Sequence, residues 1–252
     1  MSASPRLDAL RSSVAHLNDL VAGLDDSDLV VRAYPAEWTV ADVLSHIGSG
    51  AVIFERRLKD ALAGRPTPDD LTPGVWAAWN AKPPRAKADD GLIADRALFD
   101  RLDAMTDGER SAFRFPIGPM EFDFDDTVGM RLNEHALHTW DIEVVFDPTA
   151  TVPADAVAQV IDNLELIGRF TAKPTGATGT IVVRTAGPTR TFTVTLTAER
   201  VGFDTGGGHP TLELPAEAFV RLVYGRLDPA HSVPIEGDTG ALDTLRLVFP
   251  GP

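Results

Sequence analysis

The stretch RLNEHALHTWDIEVVFD, residues 131–147, decides how the first half of the chain is read. Its background is that of a buried helix over 127–145, which Asp147-Pro148 ends because a residue preceding proline is pushed out of the helical region. Into that background it sets Glu134, His135, His138 and Asp141, in a chain with only 6 histidines. Glu134 and His138 stand one turn apart on one face, so a carboxylate oxygen and an imidazole nitrogen can point at a common spot. That donor pair suits a divalent transition metal. A catalytic ion usually takes three protein ligands and keeps a further position open, so the pair needs a third member. His46, on a second helix, is the preferred candidate. His135 competes, although it lies roughly 100° around the helix from Glu134, and His16 on the first helix is a weaker option. Spacing alone does not separate a metal site from a hydrogen-bonded polar patch, and the His-Glu-x-x-His pattern of zinc peptidases is absent.

Outward from this helix the pattern is that of a bundle. Leu7, Leu10, Val14, Leu17, Val21 and Leu24 alternate at spacings of three and four, which predicts a helix over 5–24. Thr39 and Asp42 form a capping box that opens a helix at Val40, carried by Val43, Leu44 and Ile47 to about residue 62. Five prolines between 64 and 87 predict that most of this stretch is a long loop, with Trp76 and Trp79 inside it on a short helical turn, where they either plug onto the bundle or wall a substrate pocket. A further helix is expected over 89–105 and a connector over 116–126. Beyond Pro148 the texture changes to an amphipathic helix over 153–170, then TGTIVVRT and RTFTVTLT as a hairpin around Ala186-Gly187-Pro188. TLELP at 211–215 reads as a third strand, followed by helices at 215–224 and 242–248. The expected domains are therefore 1–148, a four-helix bundle, and 149–252, a small α+β domain.

Composition narrows the function. With 252 residues, 44% of them hydrophobic and 24% charged, the chain is an ordinary globular one. A formal net charge of −14 opposes a phosphate-tracking surface, so nucleic acid is not an expected partner. No apolar run suits a membrane span or a signal peptide, and a cytoplasmic location is expected. With no cysteine, any thiol chemistry must use an imported thiol.

WTVADVLSHIGSG at 38–50 together with RLNEHALHTWDIEV at 131–144 resembles the mycothiol-dependent maleylpyruvate isomerase family of DinB-like metalloenzymes. LELPAEAFVRLVYGRLDP at 212–229 and VPIEGDTGALDTLRLVF at 233–249 resemble that family's C-terminal, sterol-carrier-like domain. The resemblance implies a DinB-like bundle holding one divalent ion, zinc, through His46, Glu134 and His138, with His135 packing or hydrogen-bonding instead. It also implies mycothiol as cosubstrate, for thiol transfer or thiol-assisted isomerisation of a small electrophile such as maleylpyruvate, in a monomer or homodimer. Asp141 is the expected orienter of a ligand imidazole, against the alternative of a salt bridge; Asp42 is a rival orienter that capping explains equally well. Arg226, where related sequences carry an arginine, is the expected anion clamp, with Arg221 beside it and a solvated surface arginine as the alternative. Arg131 is a cation that can neutralise the region of Glu134. Two other functions use the same residues differently: a hydrolase whose ion activates water, and a non-catalytic carrier of an apolar small molecule or lipid.

Overall fold

The protein is described by a computed structural model covering residues 4–117 and 120–251. Its backbone divides into two compact units, one ending at Ala150 and the other beginning at Thr151. No helix among the described residues is long and apolar enough to cross a membrane.

The first unit runs through Pro5–Ala22 (α1), Val40–Leu62 (α2), Leu71–Asn80 (α3), Pro84–Asp103 (α4) and Asp107–Ala112 (α5). A short hairpin of Phe115–Ile117 (β1) and Met120–Phe122 (β2) follows, then Phe124–Phe146 (α6). The four long helices α1, α2, α4 and α6 form the bundle, with α2 on α4 and α1 on α6 as its main pairings. Each starts where local chemistry allows. Ser4 caps α1 with Pro5 in its first turn, the Thr39–Asp42 capping box opens α2, and the Asp123 carboxylate accepts the Asp126 N–H at the start of α6. Leu17, Val40, Val43, Leu44, Ile47 and Ile142 meet in the core with almost no exposure.

Three expectations for this unit are corrected. The proline-rich segment is not a loop throughout: α3 occupies part of it, with Pro73 in its first turn where an N–H has no intrahelical partner. Pro84 likewise sits at the start of α4, which therefore begins five residues before the expected 89. The connector holds the β1–β2 pairing, with Phe115 opposite Phe122, and residues 118–119 of it lie outside the described residues. The two tryptophans divide between the two roles expected for them. Trp79 is buried against the bundle, while Trp76 is 49% exposed and lines a cavity.

The second unit contains Ala154–Val160 (α7), Leu164–Thr171 (α8), Gly179–Ala186 (β3), Thr191–Leu196 (β4), Val201–Thr205 (β5) and Leu212–Pro215 (β6). Ala216–Val223 (α9), Glu236–Gly237 (β7) and Thr239–Val248 (α10) complete it. The sheet order is β5-β4-β3-β6-β7, parallel only where β3 meets β6. The helix expected over 153–170 is broken by a 3-10 turn at Ile161–Asn163. Strand β5 escapes a reading by alternation because, of its five residues, only Phe203 is buried. That ring packs with Phe192 and Phe219 to form the unit's aromatic core.

In the bundle, α2 and α4 approach so closely that a Cβ on Gly48 would lie 2.5 Å from the Gly91 Cα and 2.6 Å from the Trp79 ring. Overpacking such a contact costs about 1–3 kcal/mol, against a helix-propensity gain of at most about 1 kcal/mol. Gly48→Ala is therefore expected to lower the thermal midpoint in a calorimetric scan by several degrees. Gly74→Ala, on exposed α3 with nothing within 4 Å, should leave it unchanged or raise it.

Candidate metal centre

Helix α2 brings His46, and α6 brings Glu134 and His138, to one point of the bundle. His46 Nε2 lies 3.3 Å and His138 Nε2 3.6 Å from the same carboxylate oxygen, Glu134 Oε2. One donor atom from each residue falls within 4.8 Å of the other two. Metal–ligand bonds of about 2.0–2.1 Å around a tetrahedral ion separate donors by about 3.4 Å, so a single divalent ion fits between these groups. The imidazole rings meet edge to face at 4.6 Å, and the Trp38 ring lies 5.9 Å from His138 and 5.1 Å from His46. The planes of both rings are thus fixed by packing.

The far side of the site is fixed by hydrogen bonds. Asp141, fully buried, faces His138 Nδ1 at 2.8 Å, which turns Nε2 toward Glu134. The Asp141 carbonyl accepts the backbone N–H of Tyr34, which anchors this turn of α6 to the segment before α2. Removal from solvent pushes the Glu134 carboxyl up, but hydrogen bonds with His138 and His46, and then their charge, outweigh it and hold the group well below the usual carboxylate range. An ionised Glu134 is the form that a cation requires.

Beneath the three donors lies a second polar cluster, buried in the bundle. His135 Nδ1 is 2.7 Å from Ser13 Oγ on α1, and its Nε2 is 2.9 Å from Asp95 Oδ2 on α4. Arg131 Nη2 donates to Asp95 Oδ1 at 2.6 Å and to the Ile47 carbonyl on α2 at 3.0 Å. Burial pushes the Asp95 carboxyl up, but the charge and hydrogen bond of His135, then the charge of Arg131, bring it well below its ordinary value. Serine, histidine and aspartate in this order match a nucleophilic triad. At 3%, 0% and 1% exposure, however, Ser13, His135 and Asp95 have no route to a substrate, and the cluster is structural.

The remaining residues singled out from sequence fall as follows. His16 pairs with Glu143, apart from the three donors. Asp42 keeps the capping box and also takes Lys87, so it does not orient His46. Arg131 balances Asp95 rather than Glu134. In the second unit, Arg221 pairs with Glu217 and donates to the carbonyls of Arg226 and His231. Arg226 is 4% exposed and donates to the Tyr224 carbonyl, which corrects the alternative of a solvated surface arginine.

Sequence reading missed Arg57. A cavity of about 370 Å³ opens from His46 and Glu134 and extends past Gly50 and Ile53 to Arg57. His46, Gly50, Ile53 and Arg57 follow one stripe of α2 at intervals of four, three and four, and that periodicity was the available signal.

Family models match both parts of the chain: "Mycothiol maleylpyruvate isomerase N-terminal domain" over residues 10–143 and "MDMPI C-terminal domain" over 151–244. The fold is similar to the crystal structure of a histidine-to-alanine mutant of the mycothiol-dependent maleylpyruvate isomerase, at 16% identity, covering 93% of both chains with a TM-score of 0.66. It is similar also to the crystal structure of the mycothiol-dependent maleylpyruvate isomerase, at 16% identity and a TM-score of 0.65, covering 91% of this chain and 93% of that one. No curated protein matches the sequence.

Breaking a buried ion pair from one side costs about 3–5 kcal/mol, so Asp95→Asn should lose that much unfolding free energy in a denaturant titration. The folded carboxyl titrates below its unfolded value, so its contribution is complete above about pH 4 and is lost as pH falls toward the folded value. The gap between wild type and variant should therefore close in acid.

Proposed function

The chain belongs to the mycothiol maleylpyruvate isomerase family, and from that premise we propose that it is a metal-dependent enzyme that uses mycothiol, or a similar low-molecular-weight thiol, on a small electrophile. The observation that carries this reading is the meeting of His46, Glu134 and His138 at the end of an open cavity, in a chain with no cysteine of its own. These three residues would hold the ion, and zinc is the proposed metal. When bound, the ion supplies Lewis acidity that keeps an incoming thiol in its reactive thiolate form.

The chain's own residues prepare that chemistry. Asp141 holds the proton of His138 at Nδ1, so that Nε2 presents its lone pair, and it stiffens the ring against rotation. Glu134 supplies negative charge without first losing a proton. Trp38 shields the imidazoles on one side. For an isomerisation, the thiolate sulfur forms a C–S bond at the double bond, the carbon–carbon axis turns, and the C–S bond breaks to return the thiol, with no net oxidation. For a transfer, the sulfur stays and another group leaves with the electron pair. The cytoplasm, where thiols are kept reduced, is the proposed location.

Protein purified without a metal-affinity tag should contain about one equivalent of zinc per chain and bind mycothiol by calorimetry. His46→Ala and His138→Ala should lose both. Asp141→Asn should keep the fold and weaken zinc affinity about 10–100-fold in a chelator competition. Unchanged metal content in both histidine variants, or turnover of esters or amides without thiol, would overturn the reading.

A further inference from the structure

The cavity beside the metal-binding trio has unlike ends. Residue 57 follows residue 46 by three turns of α2, within about 20° of the same face and about 16 Å farther along the axis, so Arg57 and His46 bound one continuous groove. Between them the wall is apolar, formed by Ile53, Phe54, Trp76, Phe115, Phe122 and Met130. Gly50 lines this passage beside Arg131, where a Cβ would stand 3.3 Å from Nη1.

Two arginines line the groove, and their charges are not equally available. Arg131 is buried and its charge is matched by Asp95 at 2.6 Å. Arg57 is half-buried, donates from Nη2 to the neutral Thr72 hydroxyl at 3.1 Å, and stands over the Phe115 ring at 6.0 Å. No carboxylate among the described residues lies within ion-pair distance of it. A guanidinium steadied by a hydroxyl and a ring, with N–H groups left over, is a site for a carboxylate, which it binds in a fork. Among the described residues the groove has one such place. A second carboxylate on the same molecule would face the apolar wall, where burying it without a partner is costly.

We propose that Arg57 sets the specificity of this pocket, and that the electrophile is a monoanion with an apolar body, its carboxylate on Arg57 and Thr72 and its reactive carbon toward His46 and Glu134. This rests on the thiol-dependent reading above and narrows it. The compact dicarboxylate in the family's name is then not the preferred substrate of this chain. The body of the ligand lies along the aromatic wall, and its one charge fixes which end reaches the metal-binding trio.

Unreactive probes test the proposal by calorimetry on the full-length protein, each titration run with zinc bound and again after chelation. Hydrocinnamate has an apolar body and one carboxylate, hydrocinnamide is its neutral counterpart, and maleate is a compact dicarboxylate. Wild type should bind hydrocinnamate at least about tenfold more tightly than the amide, as expected for a hydrogen bond to a charged group, and more tightly than maleate, with and without zinc. Arg57→Met should bring acid and amide to equal affinity while leaving zinc content unchanged. Arg57→Lys, which keeps the charge, should retain part of the preference. A preference that survives Arg57→Met, one that needs zinc, or tighter binding of maleate would overturn the proposal. Zinc content and mycothiol binding of wild type report separately on the thiol-dependent reading, and the zinc-free titrations decide Arg57 even if that reading fails.

Discussion

One buried carboxylate, Asp95, ties the bundle together. It receives His135 and Arg131 from α6. His135 reaches back to Ser13 on α1, and Arg131 reaches the carbonyl of Ile47 on α2. The anchored residues are neighbours of the candidate metal-binding trio: Ile47 follows His46, and Arg131 and His135 bracket Glu134. The relative rotation of α2 and α6, which decides whether the imidazoles and the carboxylate face one another, is therefore held from below by polar groups that match in only one register. An apolar core in the same place could be as stable, but it would tolerate sliding.

Much of this was legible because it is periodic or capped. The apolar seam of α1, the Thr39–Asp42 box of α2 and the i, i+4 pair on α6 all follow from helix geometry, and the structure brings His46, Glu134 and His138 together. Spacing left His135 a competitor about a third of a turn away, the family resemblance set it outside the trio, and in the structure it faces α1 and α4. The misreadings have physical causes. The prolines hide the full extent of α3 and the start of α4, because Pro73 and Pro84 occupy first turns, where they cost nothing. The partner of His135 was hidden because Asp95 sits in a helix rich in carboxylates, and nothing local marks it as the one that is buried. Arg57 was overlooked because a lone arginine three turns beyond a histidine signals nothing until the stripe it shares with Gly50 and Ile53 is seen to border a cavity.

The proposed ion-binding and substrate-selecting roles thus lie along one helix but on separable turns. The early turns of α2 carry the histidine, with its cap and its tryptophan neighbour, and the late turns carry the wall and the arginine. At 16% identity to the solved isomerase, this chain shares the fold, and its own groove and the three donor groups beside it have to be read directly.

The glycine contact between α2 and α4 bears on how such a groove can evolve. With Gly48 against Gly91 and the Trp79 ring, the back of α2 is wedged and cannot recede to admit a bulkier guest. Enlargement has to come from the opposite bank, where Trp76 and the rings of the β1–β2 hairpin are carried on short elements rather than on the bundle's long helices. Substitutions there would retune capacity while the helices that carry His46, Glu134 and His138 stay as they are, which makes that bank the natural place to redesign the groove for other guests.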